Sequence, residues 1–276
     1  MKIDLHMHST ASDGMLTPLQ LVEKAASLGV EVMAITDHDA MAGAESLRDK
    51  ALPVKLIPGV ELNLNDMRSL HLLGYGLRRN TALHCKVAQL AEKRIARARA
   101  MAALMEKEGV PVDIERILAE HSGSVGRPHL AREMVKLGYV KDAQEAFVRY
   151  LKEGRPCYVD GDRLSMREAL QLMLDSGFVP VLAHPYQLDV EELRLPALLR
   201  AWQQQGLMGV EVYHPSAAGK GYAGLDSMAR RMGLLVTGGS DFHQEDDAKH
   251  GMPGCTSGDW RQAERDLAAL ESALHT

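Results

Sequence analysis

Val32-Met33-Ala34-Ile35-Thr36-Asp37-His38-Asp39 is an apolar, partly β-branched run that stops on an acid, an imidazole and a second acid. A short apolar run without polar alternation reads as a strand buried on both faces, as in a parallel sheet covered by helices. The residues before it support that reading. Thr17-Pro18 leads into Leu21, Val22, Ala25 and Ala26 and stops at Gly29, giving one helix a cap, a first-turn proline, an apolar stripe and a terminating glycine. Ile3-Asp4-Leu5-His6 precedes this helix, and Lys55-Leu56-Ile57-Pro58-Gly59-Val60-Glu61 follows after a further short helix. Strand, helix and strand in alternation predict parallel pairing with right-handed crossovers.

Further out, residues 70–75 predict a fourth strand. The alternation resumes after residue 160, where Ser165 and Glu168 form a capping box for a helix over 166–176. Residues 178–183, 209–213 and 234–239 supply three more strands. About seven strands in an α/β chain predict a distorted (β/α)7 barrel. Between its two parts, residues 81–108, 113–121, 128–137 and 142–153 read as helical with no strand period among them. They predict an inserted all-helical lobe over 78–155, the barrel being formed by 1–77 and 156–276.

The strand ends carry a repeated chemistry. Asp4-Leu5-His6-Met7-His8 with Asp13, Thr36-Asp37-His38-Asp39, Gly59-Val60-Glu61, Ala183-His184-Pro185 and Ser240-Asp241-Phe242-His243 would converge on one rim. Imidazole nitrogen and carboxylate oxygen suit borderline divalent ions such as zinc, manganese and iron. His6 and His8, two apart on a strand, project to the same face. His6, His8, Asp13, His38, Glu61, His71, His184, Asp241 and His243 exceed the needs of one ion. They would fill two or three sites if a carboxylate is shared, an arrangement suited to phosphoryl oxygens. Cys85, Cys157 and Cys255 are too far apart to form a metal or redox motif.

Composition narrows the class. With 3 Phe and 2 Trp, aliphatic side chains and 15 Met must fill the interior, in keeping with a barrel core. No run of about 18 apolar residues predicts a membrane span, and no basic-then-apolar leader opens the chain, so a cytoplasmic protein is expected. The formal charge of −5 hides a division: residues 78–155 hold 16 Lys and Arg against 10 Asp and Glu, leaving 16 against 27 elsewhere. The basic segment is either an ordinary solvated helical surface or an attractor of anionic substrate.

DLHMHS at 4–9, TDHD at 36–39, GVE at 59–61, AHP at 183–185 and SDFH at 240–243 resemble, in order and spacing, the polymerase and histidinol phosphatase (PHP) family of phosphoesterases. The resemblance spans nearly the whole chain and implies a seven-stranded distorted barrel holding three divalent ions, often manganese. Carried over by position, one ion takes His6, His8, Glu61 and Asp241. A second shares Glu61 and adds His71 and His184, and a third takes Asp13, His38 and His243. No ligand of the pattern is missing, which implies an active enzyme.

Gly126-Arg127-Pro128-His129-Leu130-Ala131 is similar to the branch that removes the 3′-phosphate of nucleoside 3′,5′-bisphosphates and whose members also degrade RNA from its 5′ end. At a helix start, backbone N–H groups and the Arg127 fork suit a second phosphate. Ser122, Arg127, His129, Arg132 and His214 are the candidate substrate contacts. The alternative for Arg127, His129 and Arg132 is capping and pairing with Glu133 or Asp142. Asp241 or His214 is the candidate proton donor to the leaving oxygen. Asp4, Asp39 and Glu211 are either orienting groups or ordinary structural acids, whereas His84, His250 and His275 and the arginines of the long helix read as structural or solvated. The expected substrate is a phosphorylated nucleotide, with no membrane and no obligate protein partner. The alternatives are a 5′-3′ exoribonuclease acting on short RNA and a non-catalytic metal-stabilised module binding nucleic acid. An amidohydrolase acting on carbon is a further possibility, although no lysine is placed to bridge two metals.

Overall fold

Seven strands hydrogen-bond in sequence order: β1 (Ile3–Asp4), β2 (Val32–Ile35), β3 (Lys55–Asn63), β4 (His71–Tyr75), β5 (Val179–Leu182), β6 (Gly209–Tyr213) and β7 (Leu235–Gly238). They come from a computed structural model that describes the chain except residues 77, 79, 122–123, 189, 192–193, 218–220, 246–249 and 276. The first and last strands meet. Leu5 N donates to Gly238 O at 3.0 Å, and Met7 bridges Phe242 in parallel, so the sheet curls into a distorted, nearly closed barrel. Gly239 sits at this closure, where a Cβ would fall 2.3 Å from His6 Cβ. Only a residue without a side chain lets the two strand ends approach so closely.

The pairing is not parallel throughout. β4 is antiparallel to both β3 and β5. A parallel crossover needs a dozen or more residues, and the link from Asn63 to His71 is far shorter, so the chain doubles back. β3 runs to Asn63, two residues beyond the expected end at Glu61. Its first half pairs in parallel with β2 and its second half antiparallel with β4. Reversal puts the beginning of β4 at the rim where its neighbours finish: His71 lies opposite Asn63.

The outer layer contains α1 (Pro18–Ser27), α7 (Met166–Asp175), α8 (Leu195–Gln204), α9 (Ala223–Arg231) and α10 (Ala263–Leu274), with α2 (Ala42–Glu45) as one short turn. Thr17 with Gln20 and Ser165 with Glu168 close capping boxes at α1 and α7, satisfying orphan donors of the first turns. The helical lobe comprises α3 (Ala82–Lys107), α4 (Ile114–Glu120), α5 (Arg127–Lys136) and α6 (Ala143–Ala146), which passes into a π-helical turn at Phe147–Leu151. Ala98, Met101, Met105, Ile117, Leu130, Met134, Leu151 and Cys157 pack there as a core of their own. Leu83, Val87 and Leu90, on the first half of α3, belong to the barrel core instead. No helix among the described residues is long and apolar enough to cross a membrane.

Two devices aim side chains inward. Between Glu211 and Tyr213 the register of β6 against β7 slips, with Glu211 opposite Thr237 and Tyr213 opposite Gly238. This bulge breaks the alternation. Tyr213 consequently packs outward on Trp260, while Glu211 and His214 both face the centre. The second device is Tyr75, a fully buried phenol whose OH donates to Leu5 O at 2.9 Å across the barrel. Tyr75→Phe leaves that carbonyl without its phenol donor and should lower unfolding free energy by about 1–3 kcal/mol. Urea denaturation of the metal-free protein checks this, and a change under about 0.5 kcal/mol would show the bond to be idle.

Candidate metal centre

The strand ends bring imidazoles and carboxylates from six segments into one buried volume. His6 and His8 leave β1 on the same face. His6 Nε2 lies 3.2 Å from His8 Nε2, 3.3 Å from Glu61 Oε2 and 3.4 Å from Asp241 Oδ1. His8 Nε2 lies 3.2 Å from the same two oxygens. A tetrahedron of ligands about 2.0–2.1 Å from a central ion has edges of about 3.3–3.4 Å, so these four atoms have the spacing of a four-coordinate site.

The other oxygen of Glu61 faces a different pair. Oε1 lies 2.8 Å from His71 Nδ1 and 3.0 Å from His184 Nε2, which are 3.2 Å from each other. His71 reaches this point because β4 is reversed. A third group gathers His8, Asp13, His38 and His243, with Asp13 Oδ1 3.3 Å from His243 Nε2 and 4.0 Å from His8 Nδ1. His38 Nδ1 also approaches Glu61 Oε2 at 3.0 Å. Asp39, His184 and Asp241 have φ of 47°, 26° and 55°. Non-glycine residues hold such angles only where surroundings enforce them, and these three turn the chain at the rim.

The donor set fits divalent ions on one further observation. Glu61 Oε2 and Asp13 Oδ1 are buried and accept no hydrogen bond. A buried carboxylate oxygen without a donor is costly unless a cation faces it. Burial lowers the pKa of His184, but at His6, His8 and three carboxylates charge is favoured in spite of burial. Burial opposes protonation of His6, but Glu211, Asp241 and Glu61 outweigh it and raise its pKa well above 6.5. His8 is pushed up to about 10, against burial, by Asp241 and Glu61. Burial would raise the three carboxylates, yet His38, His6 and His71 hold Glu61 well below its ordinary range. His6 and His214 do so for Asp241, and His243 and His38 for Asp13.

Around the ligand atoms lie groups of several kinds. Glu211, fully buried, accepts from His6 Nδ1 at 3.0 Å and from His184 N at 2.8 Å. His214 Nδ1 accepts from Ser216 N at 3.0 Å, so Nε2 carries its hydrogen, 3.4 Å from Asp241 Oδ2. His250, assigned to structure from sequence, is 3.4 Å from that same oxygen and stacks on His243. Asp4 does not orient an imidazole: its carboxylate accepts from His6 N, Ser240 N and Gly254 N. Asp37 accepts from Ser9 N, Ser9 Oγ and Ser12 Oγ, fixing the loop that ends in Asp13.

The lobe meets this rim along α5. His129 Nδ1 accepts from Gly126 N at 3.1 Å, capping its own helix, and burial with Arg132 nearby lowers its pKa to about 3. It is therefore a neutral imidazole. Arg132 Nη1 donates to Asp13 O at 2.8 Å, while its Nη2 is buried without a partner. Arg127 lies over Phe147 and Tyr158, each ring centroid 5.8 Å from Cζ. Ser122 lies outside the described residues. The long helix is not simply solvated. Arg94 donates to Asp39 and Ser124, and Arg97 donates to Val159 O and stands over Tyr158. Burial, then Arg127, Arg94 and Arg163, push Arg97 down to about 10. Four guanidiniums thus crowd one another, a pattern that spacing on α3 alone did not reveal.

Residues 4–153 match the family model described as the PHP domain. The chain is 32% identical to a 3′,5′-nucleoside bisphosphate phosphatase of Chromobacterium violaceum, over 87% of each. It is 33% identical to the 5′-3′ exoribonuclease Rnm of Salmonella typhimurium, over 95% of this chain and 94% of the relative. A solved structure of an amidohydrolase from C. violaceum with bound sulfate superposes with a TM-score of 0.82 at 31% identity, covering 96% of this chain and 97% of that one.

Because His8 holds its proton more tightly in the folded chain, at about 10 against 6.5, its contribution to stability is full below about pH 6.5 and is lost as pH rises through about 10. In chelator, the melting temperature should fall across that window. A divalent ion, which replaces the proton, should flatten the profile. Thermal scans with and without manganese test both arms, and a pH-independent melting temperature in chelator contradicts the assignment.

Proposed function

This chain belongs to the PHP family and is a hydrolase of phosphoric esters, and from that premise we propose that it removes the 3′-phosphate of nucleoside 3′,5′-bisphosphates. The observation that carries the reading is the pairing of two sites of opposite character. One is the buried carboxylate and imidazole cluster. The other is the arginine group of Arg94, Arg97, Arg127 and Arg163, joined to the first through the 2.6 Å contact of Arg94 with Asp39 beside His38. A substrate with two phosphates satisfies both.

In this reading His6, His8, Glu61 and Asp241 hold one ion, Glu61, His71 and His184 a second, and Asp13, His38 and His243 a third, with manganese expected. Bound there, such ions supply Lewis acidity toward phosphoryl oxygens and lower the pKa of water. The chain's own side chains do the rest. Arg97 and Arg127 bind the phosphate that is not cleaved, and their mutual repulsion is relieved when an anion arrives. Tyr158 and Phe147 hold the Arg127 plane. Arg132, with a buried unpaired N–H beside Asp13, offers a further donor. His129 remains a candidate contact of this face through the helix start that it caps, and Ser122, outside the described residues, remains a candidate from sequence alone. His214 directs an Nε2–H at the rim and is assigned as hydrogen-bond donor to the departing ribose oxygen, whose proton comes from solvent, with Asp241 Oδ2 beside the ring. The lobe is assigned to the second half of α3 through about Val159, four residues past the boundary expected from sequence, because Cys157 and Val159 pack in its core.

A second reading has its own support. The match to Rnm, an exoribonuclease, is as strong as that to the phosphatase, and Tyr158 and Phe147 beside Arg127 suit stacking of a terminal base. Phosphate release from adenosine 3′,5′-bisphosphate and adenosine 3′-monophosphate, and mononucleotide release from a 5′-phosphorylated oligoribonucleotide, each with manganese, separate the two. The bisphosphate should be preferred over the 3′-monophosphate by about 10-fold or more, as expected for charged hydrogen bonds of about 1.5–3 kcal/mol. Arg127→Ala should erase that preference by raising KM for the bisphosphate. Asp241→Asn should abolish turnover of every substrate. Equal use of both monomers by the wild type would overturn the bisphosphate assignment.

A further inference from the structure

We propose that Glu211 is a positioning residue of the metal centre: one carboxylate that sets the ring of His6 and the backbone turn of His184, and so aligns ligands of two different ion positions. This rests on the ligand assignment above and concerns a residue that belongs to none of the three ligand sets. Glu211 is fully buried and uses both oxygens. Oε1 accepts from His6 Nδ1 at 3.0 Å, and Oε2 accepts from the backbone N–H of His184 at 2.8 Å.

Each bond has a directional consequence. A carboxylate has acceptors only, so the hydrogen of a neutral His6 must sit on Nδ1. The Nε2 lone pair is thereby turned toward His8 Nε2, Glu61 Oε2 and Asp241 Oδ1, all within 3.2–3.4 Å. In the other tautomer an N–H would occupy that space and the lone pair would be lost to an ion. At His184 the backbone has φ 26° and ψ 60°, a conformation unfavourable for any side-chain-bearing residue. Its N–H is anchored by Glu211 Oε2, which holds the turn that delivers Nε2 to Glu61 Oε1 at 3.0 Å. The bulge after Glu211 matters here as well, since it lets Glu211 point inward from a strand whose next inward residue is His214.

Substitution separates the two duties. Glu211→Gln keeps the shape but offers one oxygen and one NH2, so it can accept from His6 or from His184, and it confronts the other with donor against donor. Glu211→Ala removes both bonds. The full-length chain and both variants are titrated with manganese and zinc by competition against a chromophoric chelator, with bound metal counted by mass spectrometry. The His6 tautomer is read from 15N NMR of the zinc-loaded and metal-free proteins.

Glu211→Ala should weaken ion binding by about 10- to 100-fold, the usual effect of losing the outer partner of a ligating histidine. Glu211→Gln should fall between it and the wild type. The zinc-loaded wild type should show His6 with its hydrogen on Nδ1, and zinc-loaded Glu211→Ala should shift it toward Nε2, a change that a merely structural role would not produce. If Glu211→Ala does not fold, Glu211→Gln carries the same readouts. A variant that matches the wild type within about threefold in affinity, with an unchanged tautomer, overturns this inference alone. A wild type that takes up no divalent ion overturns the ligand assignment, and this inference with it.

Discussion

Asp13, Glu61, Asp241 and Glu211 are all buried within one small volume, and that concentration of negative charge is the constraint around which the rest of the molecule is arranged. Removing one carboxylate from water costs several kcal/mol, and a group of them is tolerable only against matched positive charge. The fold answers with imidazoles on every side, two of which, His6 and His8, the carboxylates would hold protonated in the absence of an ion. Unlike a fixed arginine, an imidazole can surrender its proton to make room for a metal. On the proposed ligand assignment the same side chains neutralise the cluster in one state and ligate in the other, a duty that suits histidines and not arginines.

This constraint also accounts for irregularities that a regular barrel would not need. A two-residue β1, a reversed β4, a bulge in β6 and left-handed turns at Asp39, His184 and Asp241 each depart from ideal geometry. Backbone strain of this kind costs about 1–3 kcal/mol per residue and persists only where the surroundings over-determine it. All of these features lie at the rim or aim residues into it. The remainder of the barrel is ordinary aliphatic packing, with Ile3, Leu5, Leu62, Leu72, Val181 and Val210 fully buried.

The strands, the capped helices and the intervening helical lobe were legible because apolar runs, capping boxes and the change of period are local signals. The convergence of His6, His8, Glu61 and Asp241 was legible for a related reason: strands that finish on ligating residues in a parallel layer finish together. His71 was not placed by that logic. It begins its strand, and only the antiparallel direction of β4, forced by a short connection, turns a strand start into a rim position. Glu211 and His250 were hidden for different reasons, the first by a bulge that alternation does not forecast, the second because its approach to Asp241 Oδ2 at 3.4 Å has no local signal in sequence. The arginines of α3 have no sequence signal at all. Arg94 and Arg97 are three apart on a helix with a weak apolar stripe, and their burial is decided by Asp39 and Val159, which are distant in sequence.

The two halves of the structure contribute to the rim unequally. His6, His8, Glu61 and His71 stand on or next to strands, so the barrel itself fixes their spacing. Asp13 and His38 stand on loops, and it is these loops that the lobe contacts. Arg132 donates to Asp13 O, Ser124 N donates to Ala11 O, and Arg94 grips Asp39, whose carboxylate also holds Asn63 beside His38. Strand-borne ligands show 3.2–3.4 Å spacing, whereas in the loop-borne group Asp13 Oδ1 lies 3.3 Å from His243 Nε2 and 4.0 Å from His8 Nδ1. The loop-borne group is thus the part of the centre whose geometry depends on two packed bodies meeting. Arg94, which contacts Asp39 and acts electrostatically on Arg97, is the side chain that ties the arginine cluster of the lobe to the loop carrying His38.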